Sequence, residues 1–369
     1  MYSYNIHNKV KITSKLRGVI PALHNYFWIP NLISEPDIVI DVKNVDLCTH
    51  EYNRYDLWFY GTKNTVYYKD DVFWLKDRVL FTENINKTYI IFSKDSLKLN
   101  RASRGPIYDL IETVIEYKLL NHNMMTIHGA AIAKDDNCVI LAGYPNIGKT
   151  LFTLNLLNRG YSYMADDTSL ISTDGTVYAY PTYSSIGYHD FLSFIKPSDI
   201  GYLNYLKYLP KTWFLSKFKL AEKFFNYPEV FLPEILGSKI KDKAKCKLIC
   251  LLGIGKTKIE ELSIDEAVDK IMIINKYSMP QIIDNPVLQT YFYVNGMDIF
   301  SIVEKQRKII RNFLKDVKIR EITVSKDDVN KISDIIDMII DGEENIDLAK
   351  LKNVAEWQSK YDPPIYPYK

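Results

Sequence analysis

The sequence predicts an α/β fold built around a phosphate-binding strand–loop–helix unit, with a smaller β-rich domain ahead of it. Three observations predict it. The run from Cys138 to Thr150 passes from a short apolar strand into a G-x-x-x-x-G-K-T loop and then into a helix. A second short strand, from Tyr161 to Ala165, ends on the adjacent carboxylates Asp166 and Asp167. The first 100 or so residues hold short β-rich runs separated by polar turns.

Taken in order, Ile38 to Ile40, Leu57 to Tyr60, Val66 to Tyr68 and Thr88 to Phe92 read as strands of a small antiparallel domain over residues 1–100, suited to substrate or partner binding. The stretch Asn100 to Pro106 is the natural boundary. Ile107, Leu110, Ile111, Val114, Ile115 and Leu119 then recur at helical spacing and open a second domain over residues 101–341. Residues 342–369 read as a loosely attached C-terminal arm. Met125 to Ala133 is an apolar run interrupted by His128-Gly129, and the polar turn Lys134 to Asn137 makes it a hairpin feeding the loop strand. Read alone, His128 is more a core histidine than a ligand contact.

Each residue type in the loop answers a separate chemical need. Gly143 and Gly148 let the backbone turn back and aim N–H groups at phosphate oxygens. Lys149 reaches the terminal phosphates as a point charge, the Thr150 hydroxyl ligates Mg²⁺, and the helix that follows offers its positive end. The nucleotide is thus expected against Gly143, Tyr144, Pro145, Asn146, Ile147, Gly148, Lys149, Thr150 and Leu151. That helix carries Leu151, Leu154 and Leu157 on one face and closes at Gly160. Adjacent strand residues point to opposite faces, so Asp166 and Asp167 cannot do the same job. One suits a Mg²⁺ shell and the other suits taking a proton from an incoming hydroxyl.

Composition sets the frame. The 369 residues are 47% hydrophobic and 25% charged, which is ordinary globular usage with room for two domains, and the net charge of +2 gives no bulk attraction for nucleic acid. Of the four cysteines, Cys138, Cys246 and Cys250 lie in apolar segments and Cys48 stands apart, without zinc-ligand spacing. No run of eighteen apolar residues spans a membrane, and a reduced cytoplasmic setting is the expectation. The segment Gly253 to Thr257 imitates the end of a second loop, but Cys250 stands where its first glycine is required, so it reads as a hairpin turn. Ser263 and Glu266 beyond it form a capping box. Residues 188–232 interleave aromatics with lysines, including Trp213 and Lys217. They read either as an amphipathic helical insertion packing its aromatics on the core or as a surface that stacks on an anionic or aromatic ligand, grips a peptide or lies on a membrane, and they are where acceptor choice is expected.

The order His128-Gly129, hairpin, Gly143 to Thr150, helix, Arg159-Gly160, short strand and Ala165-Asp166-Asp167 resembles the catalytic core of the HPr kinase/phosphorylase family and its kinase relatives. The P-loop domain of that family is similar to that of phosphoenolpyruvate carboxykinases. The resemblance covers about forty-five residues. It implies an ATP- and Mg²⁺-dependent kinase acting on a hydroxyl, with Lys149 on the phosphates, His128 beside them, Thr150 and Asp167 near the metal, and Asp166 as base. The glutamate-containing Arg-Gly-x-Gly signature of HPr kinases is missing downstream of the Asp pair. The expected acceptor is therefore a serine or threonine of another protein or peptide, free serine, or another small-molecule hydroxyl, rather than HPr. A homo-oligomer is compatible with this reading. The competing expectation is a nucleotide-dependent regulatory or assembly protein that has no acceptor.

Overall fold

Apolar residues alternating with polar ones in the first ninety positions make strands whose buried faces line one sheet. In the computed structural model these are β1 (Tyr2–Ile6), β2 (Val10–Ser14), β3 (Trp28–Ile29), β4 (Ile38–Val42), β5 (Asn53–Arg54), β6 (Phe59–Thr62), β7 (Thr65–Val72), β8 (Leu75–Asn84) and β9 (Lys87–Phe92). They pair in the order β3-β1-β2-β4-β9-β8-β7-β6-β5. The structure describes residues 1–17, 24–45, 52–72, 75–84, 87–96, 106–145, 147–185, 191–192, 195–218, 228–255, 258–324 and 329–340. The expected C-terminal arm, Cys48, Lys256 and Thr257 lie outside the described residues, as do parts of the 188–232 stretch.

This sheet is mixed rather than antiparallel. The pairings β2–β4 and β4–β9 are parallel. The chain leaves β4, runs out through the β5–β8 meander and returns beside β4, and that connection is long enough to bring two strands side by side in the same direction.

The chain forms two compact units, and the fold is mixed α/β. The first comprises Met1–Ile127, Leu170–Thr182 and Val268–Lys315. It therefore includes the helix Pro106–Leu120, which buries Leu110, Ile111, Val114, Ile115 and Leu119 as their spacing predicts. It also includes the helix Pro286–Val294, entered by a motif with a clear physical cause. Asn285 accepts from the N–H groups of Val287 and Leu288, and Pro286 supplies a first position that needs no donor. Tyr291 of that helix meets Phe81 edge-on, with ring centres 5.3 Å apart.

The second unit comprises His128–Ser169, Tyr183–Ala267 and the described chain from Asp316 onward. Here β10 (Met124–Lys134) and β11 (Asn137–Ala142) form the expected hairpin, with Lys134 opposite Asn137 and Asp135 in the left-handed conformation the tight turn needs. β12 (Ser162–Ala165) pairs with the other edge of β10. β13 (Thr168–Ser172) and β14 (Thr176–Tyr178) make a hairpin whose residues from Leu170 onward fall in the first unit. β15 (Ser184–Ser185) and β16 (Glu229–Val230) form a short separate ladder.

β17 (Lys243–Ile254) runs parallel to both β11 and β19 (Lys318–Val324), and β18 (Lys258–Glu261) pairs antiparallel with β19. The hairpin expected at Gly253 to Thr257 is therefore not one: β19 occupies the position beside β17 that a hairpin partner would take. The capping box is present, since the Ser263 N–H and hydroxyl both donate to Glu266 Oε2 and the Glu266 N–H donates to Ser263 Oγ. The core of this unit joins Ile132, Val139, Leu141, Phe152, Leu156, Tyr163, Leu248 and Cys250. β10 and β11 are buried on both faces, which is why they read as continuous apolar runs.

Candidate phosphate-binding site

The site is built where β11 ends. The chain turns through residues 143–148 and enters the helix Lys149–Asn158. Gly148 sits at φ 93°, a left-handed conformation that a side chain would strain. Gly143 has a different reason. A Cβ there would stand 3.1 Å from Ile147 Cγ2 and 3.2 Å from the Leu252 carbonyl oxygen, a tight fit that would make the loop or β17 give by a few tenths of an ångström. No side chain caps the start of the helix, which leaves its first N–H groups for a ligand. Tyr144 is exposed, Pro145, Ile147, Thr150 and Leu151 are half-buried, and Asn146 lies outside the described residues.

Lys149 folds back into its own loop. Its Nζ donates to the carbonyls of Gly143 at 3.0 Å and Tyr144 at 3.1 Å, and it meets His128 Nε2 at 2.9 Å. An ammonium has only donors, so Nε2 accepts and the ring proton sits on Nδ1. That nitrogen faces Asp167 Oδ1 at 3.6 Å. Burial, helped by the Lys149 charge and opposed by Asp167, holds the His128 pKa down at about 4, so the ring is neutral at physiological pH. Burial likewise lowers the Lys149 pKa, while Asp167 and Asp166 oppose the shift.

The carboxylate pair occupies the bend after β12, and its members face opposite environments. Asp166 is buried, and its Oδ2 accepts from the Thr150 hydroxyl at 3.1 Å. The Ser184 hydroxyl of β15 faces the same carboxylate without closing a well-formed hydrogen bond, so Asp166 Oδ1 is left buried without a partner. Burial raises the Asp166 pKa to about 6, with Asp167 adding to the rise and Ser184, Thr150 and Lys149 opposing it. The Asp167 side chain is 66% exposed.

Gly129 fastens this bend to β10. Its N–H donates to the Asp167 carbonyl at 3.0 Å, and its own carbonyl accepts from Ser169 Oγ at 2.7 Å. A Cβ on Gly129 would stand 2.9 Å from the Leu141 oxygen. The residue after His128 must therefore be glycine for β10 and β11 to pair this closely.

The structure thus gathers His128, Lys149, Thr150, Asp166 and Asp167 within one unit. It does not bring Arg159 to them. Arg159 pairs with Asp334 and Asp337 of the helix Val329–Ile340, each at 2.7 Å, and ties that helix to the end of the loop helix. Ser184 escaped the sequence reading because it lies in a two-residue strand with no local pattern to mark it.

Does this donor set suit a divalent ion? The Thr150 hydroxyl and the Asp166 carboxylate, one of whose oxygens has no partner, are oxygen ligands of the kind Mg²⁺ takes. Among the described residues no group of three or more His, Cys, Asp or Glu side chains forms a metal cage. An ion held here would complete its shell with phosphate oxygens and water, as Mg²⁺ commonly does.

No family model matches the sequence, and no curated protein matches it. Among solved structures the chain is similar to the Hpr(Ser) kinase/phosphatase from Coxiella burnetii at 11% identity, covering 59% of this chain and 94% of that one. The TM-score is 0.27, too low to carry an argument about activity. No helix among the described residues is long and apolar enough to cross a membrane.

Proposed function

We propose that this protein is a kinase that transfers the γ-phosphoryl group of ATP to a hydroxyl acceptor with Mg²⁺ as cofactor. One observation carries the reading: the Thr150 hydroxyl is bonded to a buried carboxylate with an oxygen to spare, while the adjacent carboxylate is exposed. Phosphoryl transfer needs a metal shell and a separate group on the acceptor side, and one bend supplies both.

Within this reading the two aspartates exchange the roles the family resemblance implied. Asp166, with Thr150, would hold Mg²⁺, which when bound neutralises charge on the phosphates. Asp167 stands on the open side and takes the proton. The acceptor oxygen attacks the γ-phosphorus, the bond from that phosphorus to the bridging oxygen breaks, ADP leaves, and the hydroxyl proton passes to Asp167. Lys149 exchanges the Gly143 and Tyr144 carbonyls for phosphate oxygens. Neutral His128 accepts one of its N–H bonds and keeps the ammonium aimed at the loop.

The test is incubation of the full chain with labelled ATP and a cell extract, followed by mass spectrometry of the labelled product. A phosphorylated hydroxyl compound or side chain is expected. Release of labelled phosphate without any labelled acceptor would replace the kinase with a nucleotide-dependent regulatory protein, and absence of ATP binding would remove both.

A further inference from the structure

The helix Tyr202–Lys217 belongs to the second unit and is apolar on both of its faces. Inward it packs Tyr205, Tyr208, Leu209 and Leu215 on the core, with the Tyr205 ring tilted against Phe191 at 5.1 Å between centroids. Outward it exposes Tyr202, Leu203, Leu206, Trp213 and Phe214, with Leu203 at 83% and Trp213 at 46%. At about 100° per residue these five fall within roughly 120° of the helix circumference, so they form a stripe and not a scatter. Contiguous apolar surface of this kind commonly marks a contact with a partner or a membrane.

The charge on the stripe selects what covers it. Lys207, Lys211 and Lys217 are exposed; Lys217 falls within the stripe, Lys207 about 20° and Lys211 about 60° beyond its edge, and from Gly201 to Lys219 there is no Asp or Glu. A second copy of the chain docked about a two-fold axis would set these lysines against one another with no acid on the face to meet them. The stripe is also the convex side of a single helix, about 24 Å long, where protein partners of helices commonly offer a groove. A bilayer needs no such complement. It takes an amphipathic helix lying in its plane, with aromatic and leucine side chains among the acyl chains and lysine ammonium groups reaching back to anionic headgroups.

We infer that the outward face of the helix Tyr202–Lys217 docks the protein on an anionic lipid surface. The inference is independent of the proposed phosphoryl transfer, because binding is read without nucleotide. The experiment is co-sedimentation of the full chain with phosphatidylcholine vesicles and with vesicles containing about 30 mol% phosphatidylserine. Binding to the anionic vesicles should exceed binding to the neutral ones by at least about tenfold and weaken with added salt. The charge-reversed variant Lys207→Glu/Lys211→Glu/Lys217→Glu and, separately, Leu206→Gln/Phe214→Gln should each lose about tenfold while melting at the wild-type temperature, since all five side chains are exposed. Equal binding to both vesicles, or binding that both variants retain, overturns the inference. A dimer abolished by Leu206→Gln/Phe214→Gln without vesicle binding assigns the face to a second copy instead. A monomer that ignores both vesicles leaves an acidic protein as the partner to seek and likewise overturns it.

Discussion

Two buried acids, one in each unit, differ in a way that separates architecture from chemistry. Glu116, on the helix Pro106–Leu120, has both oxygens partnered: the Thr126 N–H donates to each, and the Thr126 hydroxyl donates to Oε2 at 2.7 Å. Asp166 has one oxygen bonded to Thr150 and the other buried, faced by the Ser184 hydroxyl without a well-formed hydrogen bond. Burial raises both pKa values, to about 7 for Glu116 and about 6 for Asp166. Burial and a shifted pKa are therefore common to both and diagnose neither. The spare oxygen distinguishes them, because an unmet buried acceptor costs about 1–3 kcal/mol and leaves a lone pair open to a ligand.

The largest expected effect lies beside the unmet acid. Lys149→Ala should lower phosphoryl transfer by roughly 10³-fold or more and weaken ATP binding, because the lysine's partners are loop carbonyls and His128, not the core. Steady-state kinetics and nucleotide titration check this. A folded variant with near-wild-type transfer would remove the phosphate site altogether.

Asp166→Asn should cut transfer by roughly 10² to 10⁴ and raise the Mg²⁺ concentration needed for half-maximal activity. It should also raise the melting temperature of the ligand-free protein, since it removes an unmet carboxylate. Asp167→Asn should lose a comparable factor in transfer with unchanged Mg²⁺ dependence and unchanged melting. Magnesium titration of the two variants sharpens the comparison, and an exchange of their phenotypes returns the metal to Asp167.

Gly129→Ala tests the bend that holds the pair. The Cβ, 2.9 Å from the Leu141 oxygen, should cost about 1–3 kcal/mol of stability, read by denaturant unfolding. A neutral substitution would show that β10 and β11 can part without loss.

The smallest effect on phosphoryl transfer belongs to the satisfied acid. A Glu116 pKa raised from 4.5 to about 7 means the folded protein binds more protons than the unfolded chain between those values. That contribution is present at acid pH and is lost as the pH rises through about 7, by up to about 3 kcal/mol. Glu116→Gln should flatten this slope, seen as a smaller difference in melting temperature between pH 5 and pH 8, and leave transfer unchanged. Asp166, raised in the same direction, keeps its own share of the slope, so it is a slope in Glu116→Gln equal to that of the wild type that would assign the titration to another group.

The sequence by itself determined the local features. The strand–loop–helix around Gly143 to Thr150, the β10–β11 hairpin, the periodic helix at Pro106–Leu120 and the Ser263–Glu266 cap are each set by residues within a few positions of one another. Strand alternation, which predicts the split of Asp166 and Asp167, is not its cause: the pair lies in the bend between β12 and β13, and the path of that bend buries one carboxylate and exposes the other. Tertiary structure alone decided which aspartate meets Thr150, that Ser184 faces it, that Lys149 rests on His128, and that β19 lies between β17 and β18. It also decided that Trp213 and Phe214 face outward while Tyr205 and Leu215 face the core, which the apolar pattern of a helix with two greasy faces does not settle. The physical reason is range. Backbone dihedrals and side-chain periods are read from neighbours in the chain, whereas strand order and the meeting of distant side chains depend on pairings that many sequences satisfy equally well and only the packed whole selects.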